Sequence, residues 1–163
     1  MEILKISEIS QVKVSDFFKE HWGSTEMVIS SGIYDCSKLN GFVILNKETE
    51  IIGLITYIIS NDECEIISLD SIVEKQGIGS SLLQAVESIA LENRCKKVKL
   101  ITTNDNLLAM KFYQKRGYCI ANVYKNAVEK ARKLKPEIPL VGYDGIPIRD
   151  EIELEKTVRN EEK

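Results

Sequence analysis

The sequence is poor in the residues that staple or coordinate a fold. Four cysteines, Cys36, Cys64, Cys95 and Cys119, are spread through 163 residues, and none stands in a C-x-x-C pair. That spacing argues against a zinc site or a redox dithiol, so no metal is expected. Reduced thiols in a cytoplasmic protein are the simplest reading. His21 is the single histidine. The three prolines all fall in "PEIPLVGYDGIPI", with two glycines, which marks an ordered loop. No run approaches the ~20 apolar residues of a membrane span. The opening "MEILKISEIS" carries Glu2, Lys5 and Glu8 where a signal peptide would be apolar. Positive charge is not in excess either: 22 Lys and Arg stand against 25 Asp and Glu, for a net charge of −3. Bulk binding to nucleic acid or to an anionic membrane is therefore not expected.

What remains is ordinary for one globular domain with a real core, at 44% hydrophobic and 29% charged residues. "MEILKIS" alternates as a short strand. "SEISQVKVSDFFKEHWGS" reads as a turn and a helix, with Ser15 as a candidate N-cap, Phe17 and Phe18 inward and Gly23 as the stop. "MVISSGIYDCSKLN" is polar and irregular, and is expected as loop or short helix. "GFVILNKETEIIGLITYIIS" gives two strands around an "NKETE" turn, and "DECEIISLDS" another strand. From Gly77 to Asn93, Ile78, Leu82, Leu83, Val86, Ile89 and Ala90 form a helical stripe. "KKVKLITT" is a strand, "NDNLLAMKFYQKRG" a helix ended by Gly117, and "YCIANVY" a strand. In "NAVEKARKLK", Asn126 and Glu129 have capping-box spacing, and Pro136 ends that helix. "IRDEIELEK" closes as a strand, with Ile148, Ile152 and Leu154 inward and Arg149, Glu151 and Glu153 outward. Strands alternating with helices make an α/β or α+β domain with a mixed sheet.

Chemistry first suggests itself in "KQGIGSS". The first N–H groups of a helix have no internal acceptor, and the helix dipole is positive there, so such an end attracts phosphate. Glycine permits positive φ and removes the Cβ that would hold a ligand away. On this turn alone, an anion cradle and a plain strand–helix corner fit equally well. Position 82 is leucine, so the third glycine of a Rossmann turn is missing, and there is no G-K-[ST] of a P-loop.

A second motif distinguishes them. "NDNLLAMKFYQKRGY" places Asn106, Ala109, Tyr113, Gly117 and Tyr118 in an N-x-x-A-x-x-x-Y-x-x-x-G-[FY] pattern. Together with "EKQGIG", which fits [RQ]-x-x-G-x-[GA] except at its first place, the chain resembles the GNAT superfamily of acyl-CoA-dependent N-acetyltransferases. The match spans roughly residues 41–124. "SLDS", "ITTNDN" and "GIPIRDEIELEK" further resemble a bacterial group of unassigned substrate. The resemblance implies a mixed, mostly antiparallel sheet of six to seven strands, splayed at its centre, with helices on both faces. It implies a single domain over 1–163, with an added helix and loop at about 125–147 before the last strand. Glu74 departs from the family's Arg or Gln. A carboxylate there repels pyrophosphate, so the contact is expected from main chain, with Lys75 offsetting the charge.

The resemblance also assigns roles. Acetyl-CoA would be the acyl donor, with its pantetheine arm along Leu69, Asp70 and Ser71. Its phosphates would lie at Lys75, Gln76, Gly77, Ile78, Gly79 and Ser80, with further contacts from Asn104, Asn106, Ala109 and Tyr113. The Tyr113 phenol, protonated at neutral pH, would protonate the departing sulfur; its bland alternative is a core aromatic. An ammonium with pKa ~10.4 must lose a proton before it attacks. Glu65 is the first candidate base, with Glu63 (should the strand bulge) and Asp70 as alternatives. His21, Trp22 and Tyr34 are candidates to wall the acceptor pocket. The acceptor would be a small-molecule amine or a peptide, and a homodimer is compatible with the family. The competing reading is a non-catalytic acyl-CoA sensor, and a third is a nucleic-acid module around "KNAVEKARKLK".

Overall fold

Strand β1 (Ile3–Lys5) opens the chain, followed by a 3-10 turn and helix α1 (Gln11–Trp22). Then come β2 (Glu26–Ile29), β3 (Gly32–Asp35), β4 (Asn40–Leu45), β5 (Ile51–Ser60) and β6 (Glu63–Ser71). Helix α2 (Ile78–Glu92), β7 (Lys97–Thr103), α3 (Leu107–Gln114) and β8 (Cys119–Tyr124) follow. The chain ends with α4 (Ala127–Leu134) and β9 (Glu151–Thr157). These elements belong to a computed structural model, which describes residues 2–73 and 76–159. Seven strands form one mostly antiparallel sheet in the order β1-β4-β5-β6-β7-β9-β8, and β2 with β3 makes a separate pair. The mixed α/β architecture expected from the sequence is the one found.

The chain divides into two compact units. The first comprises Met1–Met27, Asp35–Val98 and Thr157–Lys163. Its strands β1, β4, β5 and β6 run antiparallel in succession, as the short turns "NKETE" and "ND" require. Helix α2 buries Ile78, Leu82, Leu83, Val86 and Ala90, the stripe that its sequence shows. It lies close on β5: a Cβ at Gly53 would sit 2.3 Å from Ile78 Cγ2. Helix α1 buries Val14, Phe17 and Phe18. It begins at Gln11, four residues before the expected cap Ser15, and ends at Gly23 with φ 79°, as expected. Val14 supplies the apolar residue one turn before Phe17 and Phe18 that extends the helix backward.

The second unit comprises Val28–Tyr34 and Lys99–Lys156. The segment "MVISSGIYDCSKLN", expected as loop or short helix, holds most of a β2–β3 hairpin and then a 3-10 turn, Cys36–Lys38. The expected outward set on the last strand is also corrected. Glu151 is 1% exposed and Glu153 9%. The face that carries Glu151 and Glu153 is covered as well, by Ser30 at the end of β2 and by Asn122 and Tyr124 of β8, so alternation loses its meaning here. Each carboxylate is paired, as burial demands. Glu151 Oε1 accepts from the Ser30 N–H at 2.9 Å and from the Ser30 hydroxyl. Glu153 accepts from the Tyr124 hydroxyl at 2.8 Å and the Asn122 amide at 3.2 Å. The capping box at α4 does not form. Asn126 makes no side-chain cap, and its N–H is taken by Asp150 Oδ1 at 2.8 Å instead of by Glu129.

Candidate active site

In the first unit the glycine turn is built as its sequence suggests. Gly77 takes φ 70° and caps α2 without any side-chain hydrogen bond. A Cβ there would meet no atom within 4 Å among the described residues, so its requirement is backbone conformation. Gln76 is exposed, and Ile78, Gly79 and Ser80 form the first turn of α2. Glu74 and Lys75 lie outside the described residues.

Strand β6 carries a bulge. Pairing with β5 runs Ser60↔Glu63, Ile58↔Glu65, then shifts by one residue to Thr56↔Ser68 and Leu54↔Asp70. The extra residue is Ile67. Residues opposite one another in an antiparallel pair share a face, so the shift sets Glu63, Glu65, Ser68 and Asp70 on one side of the sheet. The bulge falls after Glu65, so it does not choose between Glu63 and Glu65. It brings Asp70 to their face.

The same pairing fixes main-chain direction. The Ile72 N–H donates to Ile52 O at 2.9 Å. Alternate residues of a strand turn their N–H and C=O to opposite edges, so Asp70 and Ser68 point toward β5. Leu69 and Ser71, the residues expected to meet a pantetheine arm, point away from it.

Asp70 itself is held from α1. Trp22 Nε1 donates to Asp70 Oδ1 at 3.1 Å. The other oxygen, Oδ2, is buried and has no hydrogen-bond partner among the described residues. Burial pushes the Asp70 pKa up, opposed by the Trp22 hydrogen bond and by the charge of His21. Ser68, beside it on this face, shares a 2.6 Å hydrogen bond with Thr56. His21 stacks on Phe17 at 4.5 Å between ring centroids. It lines an open groove of about 880 Å³ together with Lys13, Asp16, Glu20, Glu50 and Ile72. Glu63 is paired with Lys97 at 3.3 Å. Cys64 is unsuited to covalent catalysis: burial, with Cys95 and Glu65 nearby, raises its pKa to about 12.

In the second unit, α3 presents Tyr113, 5% exposed, inside an aromatic cluster. Its ring lies 5.1 Å from Phe112 and 5.4 Å from Tyr118, both edge-on. Asn106 Oδ1 accepts from the Ala109 N–H at 3.1 Å, so this asparagine is the N-cap of α3. Asn104 spends its amide on the chain before β9: Nδ2 donates to Pro147 O, and Oδ1 accepts from the N–H groups of Arg149 and Asp150, each at 2.9 Å. Tyr34 sits on the hairpin with its hydroxyl 2.8 Å from Ser31 Oγ. Of the expected acceptor-pocket residues His21, Trp22 and Tyr34, the structure brings the first two to Asp70, while Tyr34 belongs to the second unit.

Asp105 was missed. Only 2% exposed, it accepts from Thr103 Oγ1 at 2.5 Å and from the Tyr143 N–H at 3.2 Å. A Cβ at Gly142 would lie 2.0 Å from its Oδ2, so the proline loop closes on this carboxylate only with glycine there. Arg132 was missed as well. It holds the loop by donating to the carbonyls of Ile138, Pro139 and Ile148 at 3.2, 2.7 and 2.7 Å. For Asp105 the "ITTNDN" run and the glycines of the loop each carried half of the signal, but Asp105 and Tyr143 lie 38 residues apart; the carbonyls that Arg132 holds lie 6 to 16 residues on, in a loop with no regular pattern.

Residues 8–118 match the model of the Acetyltransferase (GNAT) family. The chain is 54% identical to the uncharacterized protein YxbD of Bacillus subtilis (strain 168), covering 98% of this chain and 100% of that one. Among solved structures it is similar to an IAA acetyltransferase from Bacillus cereus ATCC 14579, with TM-score 0.69 and 17% identity over 96% and 99% of the two chains. It is also similar to a GNAT family acetyltransferase from Elizabethkingia anophelis with acetyl-CoA bound, with TM-score 0.65 and 24% identity over 75% and 78%. At these identities the two structures speak to fold alone.

Proposed function

The chain belongs to the GNAT acetyltransferase family, and on that premise we propose that it moves an acetyl group from acetyl-CoA to a primary amine by direct attack, with both substrates bound. The observation that carries this reading is the opening of α2. Gly77 at φ 70° opens that helix as an N-cap without a side chain of its own, and an anion supplies what a cap side chain would. The phosphates of coenzyme A would be held at Gln76, Gly77, Ile78, Gly79 and Ser80, with Lys75 as a counter-charge. Main-chain groups of Leu69 and Ser71, turned away from β5, suit an extended pantetheine arm. A main-chain N–H at Leu69 would also stabilise the oxyanion of the tetrahedral intermediate. Asn104, Asn106 and Ala109 enter by position, since both asparagine side chains hold backbone.

Coenzyme A supplies an activated acetyl thioester and a stable leaving sulfur. The protein's part is to hold it, to take a proton from the acceptor amine and to return one to the sulfur. Tyr113 is the acid in this reading, and the β6 face bearing Glu65 supplies the base. The protein acts in the cytoplasm, as one catalytic domain, on a small-molecule or peptide amine. Release of free CoA across a panel of amines and peptides tests the reaction, and Tyr113→Phe tests the assignment. Turnover should fall roughly 100-fold while CoA affinity stays within about twofold. Unchanged turnover would remove Tyr113 from the chemistry, and CoA binding without transfer to any acceptor would favour a sensor.

A further inference from the structure

Helix α1 carries a second stripe besides the one it buries. Val12, Lys13, Asp16, Phe17, Glu20 and His21 recur three and four residues apart, so they follow one side of the helix. All six line the open groove of the first unit. From Val12 to His21 that wall runs roughly 14 Å at about 1.5 Å per residue. The rest of the lining comes from the β4–β5 turn, the start of β5 and the chain after β6. Two of its aliphatic side chains lie open: Val12 is 68% exposed and Ile72 46%. Ile51 and Ile52, half-buried, continue the apolar surface.

The charges of the groove do not balance. Asp16 and Glu20 stand four apart on α1, a spacing at which like charges repel, and Glu50 adds a third carboxylate from the β4–β5 turn. None of the three enters an ion pair among the described residues. Lys13, the lysine of this stripe, is drawn aside to the turn, where Nζ donates to the Thr49 carbonyl. Open aliphatic surface beside uncompensated carboxylates suits a ligand that is apolar on one side and cationic on the other.

We propose that this groove is a docking site for a partner protein, which lays in it a short basic amphipathic helix. Apolar residues three and four apart on the partner helix would cover Val12, Ile51, Ile52 and Ile72, as in other helix-in-groove complexes. Its lysines or arginines would meet Asp16, Glu20 and Glu50 and relieve their repulsion. A helix suits the site better than a small amine does. The carboxylates come from two chain segments along an elongated wall, so they call for several cations held at fixed separations. The docking goes beyond the acetyl-transfer reading and does not depend on it.

The probe is a labelled peptide of about 14 leucine and lysine residues at helical spacing, roughly four turns, beside a sister peptide with glutamate for every lysine. Fluorescence anisotropy with the full chain should show saturable micromolar binding of the basic peptide, and at least tenfold weaker binding of the acidic one. Val12→Arg puts bulk and positive charge into the groove and should weaken the basic peptide at least tenfold. Val123→Arg makes the same change of charge at another exposed valine, 60% exposed on β8, and should stay within about twofold of wild type. The double variant Asp16→Asn, Glu20→Gln should bind roughly tenfold more weakly and with a flatter dependence on salt. It decides the matter by itself if Val12→Arg fails to fold. Equal losses in Val12→Arg and Val123→Arg would reduce the attraction to overall charge and overturn the proposal, as would no saturable binding of the basic peptide. Decylamine that binds as tightly as the peptide and is lost in Val12→Arg would make the groove a small-ligand site instead. A dimer of the chain that Val12→Arg dissolves would give the groove to a second copy. Binding of CoA should be the same in all variants, so its failure would count against the acetyl-transfer reading alone.

Discussion

At Asp70 a charge is held where its solvation is poor, and that has a thermodynamic signature separate from any catalytic one. Burial raises its pKa above the ordinary 3.8, so between that value and the raised one the folded chain holds a proton that the unfolded chain has released. The resulting stability is fully present below about pH 3.8 and is lost as pH rises through the folded pKa. Above the folded pKa the ionised, half-paired carboxylate weakens the fold. Asp70→Asn should therefore melt above wild type at pH 7, with the gap closing near pH 4, in parallel thermal scans. A lower melting temperature for the variant at pH 7 would mean that the charge is compensated in the free protein. The sequence named Asp70 only as a third choice of base, because neither the bulge nor the approach of Trp22 from 48 positions away leaves a local mark. The cap Asn106 and the turn at Gly77 were legible because helix starts, caps and tight turns are written in adjacent residues.

At the scale of elements, legibility followed the same division. Helix α2 appears where its apolar stripe predicts it, and β4, β5 and β6 appear between turns that the chain spells out. The β2–β3 hairpin did not, since part of what fixes it comes from 121 residues away, where Glu151 takes the Ser30 N–H and hydroxyl. The same pairing explains why the alternation of β9 misled: a glutamate reads as solvent-facing unless its distant donors are known. Two substitutions weigh this account. Ser30→Ala removes the hydroxyl but keeps the backbone N–H donor, so about 1 kcal/mol should be lost. Glu151→Ala strands that N–H and opens a cavity, and should cost roughly 3 kcal/mol. Urea denaturation of both variants gives the comparison. A neutral Glu151→Ala would return this side chain to the solvated face that alternation assigned to it.

For the molecule as a whole, the order of its elements, with the two glycine-bearing motifs, pointed to the family that the match over residues 8–118 shows. The groove did not follow from either, because it is assembled from α1, the β4–β5 turn and the chain after β6, three segments with no shared motif. Net charge did not help, since a chain at −3 can still bind an anion wherever a helix opens toward it. That leads to a test at the same scale. A ligand that binds only the folded state stabilises it by RT ln(1 + [L]/Kd), about 2.7 kcal/mol at 100 times Kd. For a chain of this length each kcal/mol moves the melting temperature by roughly 2–4 °C, so saturating CoA should raise it by about 5–10 °C. Gly77→Val places a β-branched residue at φ 70°, a conformation that such residues avoid. The variant should melt lower by itself and also lose most of the CoA-dependent rise. A full rise in Gly77→Val would move the phosphates away from the start of α2, and no rise in wild type would leave the helix opening as a tight corner alone.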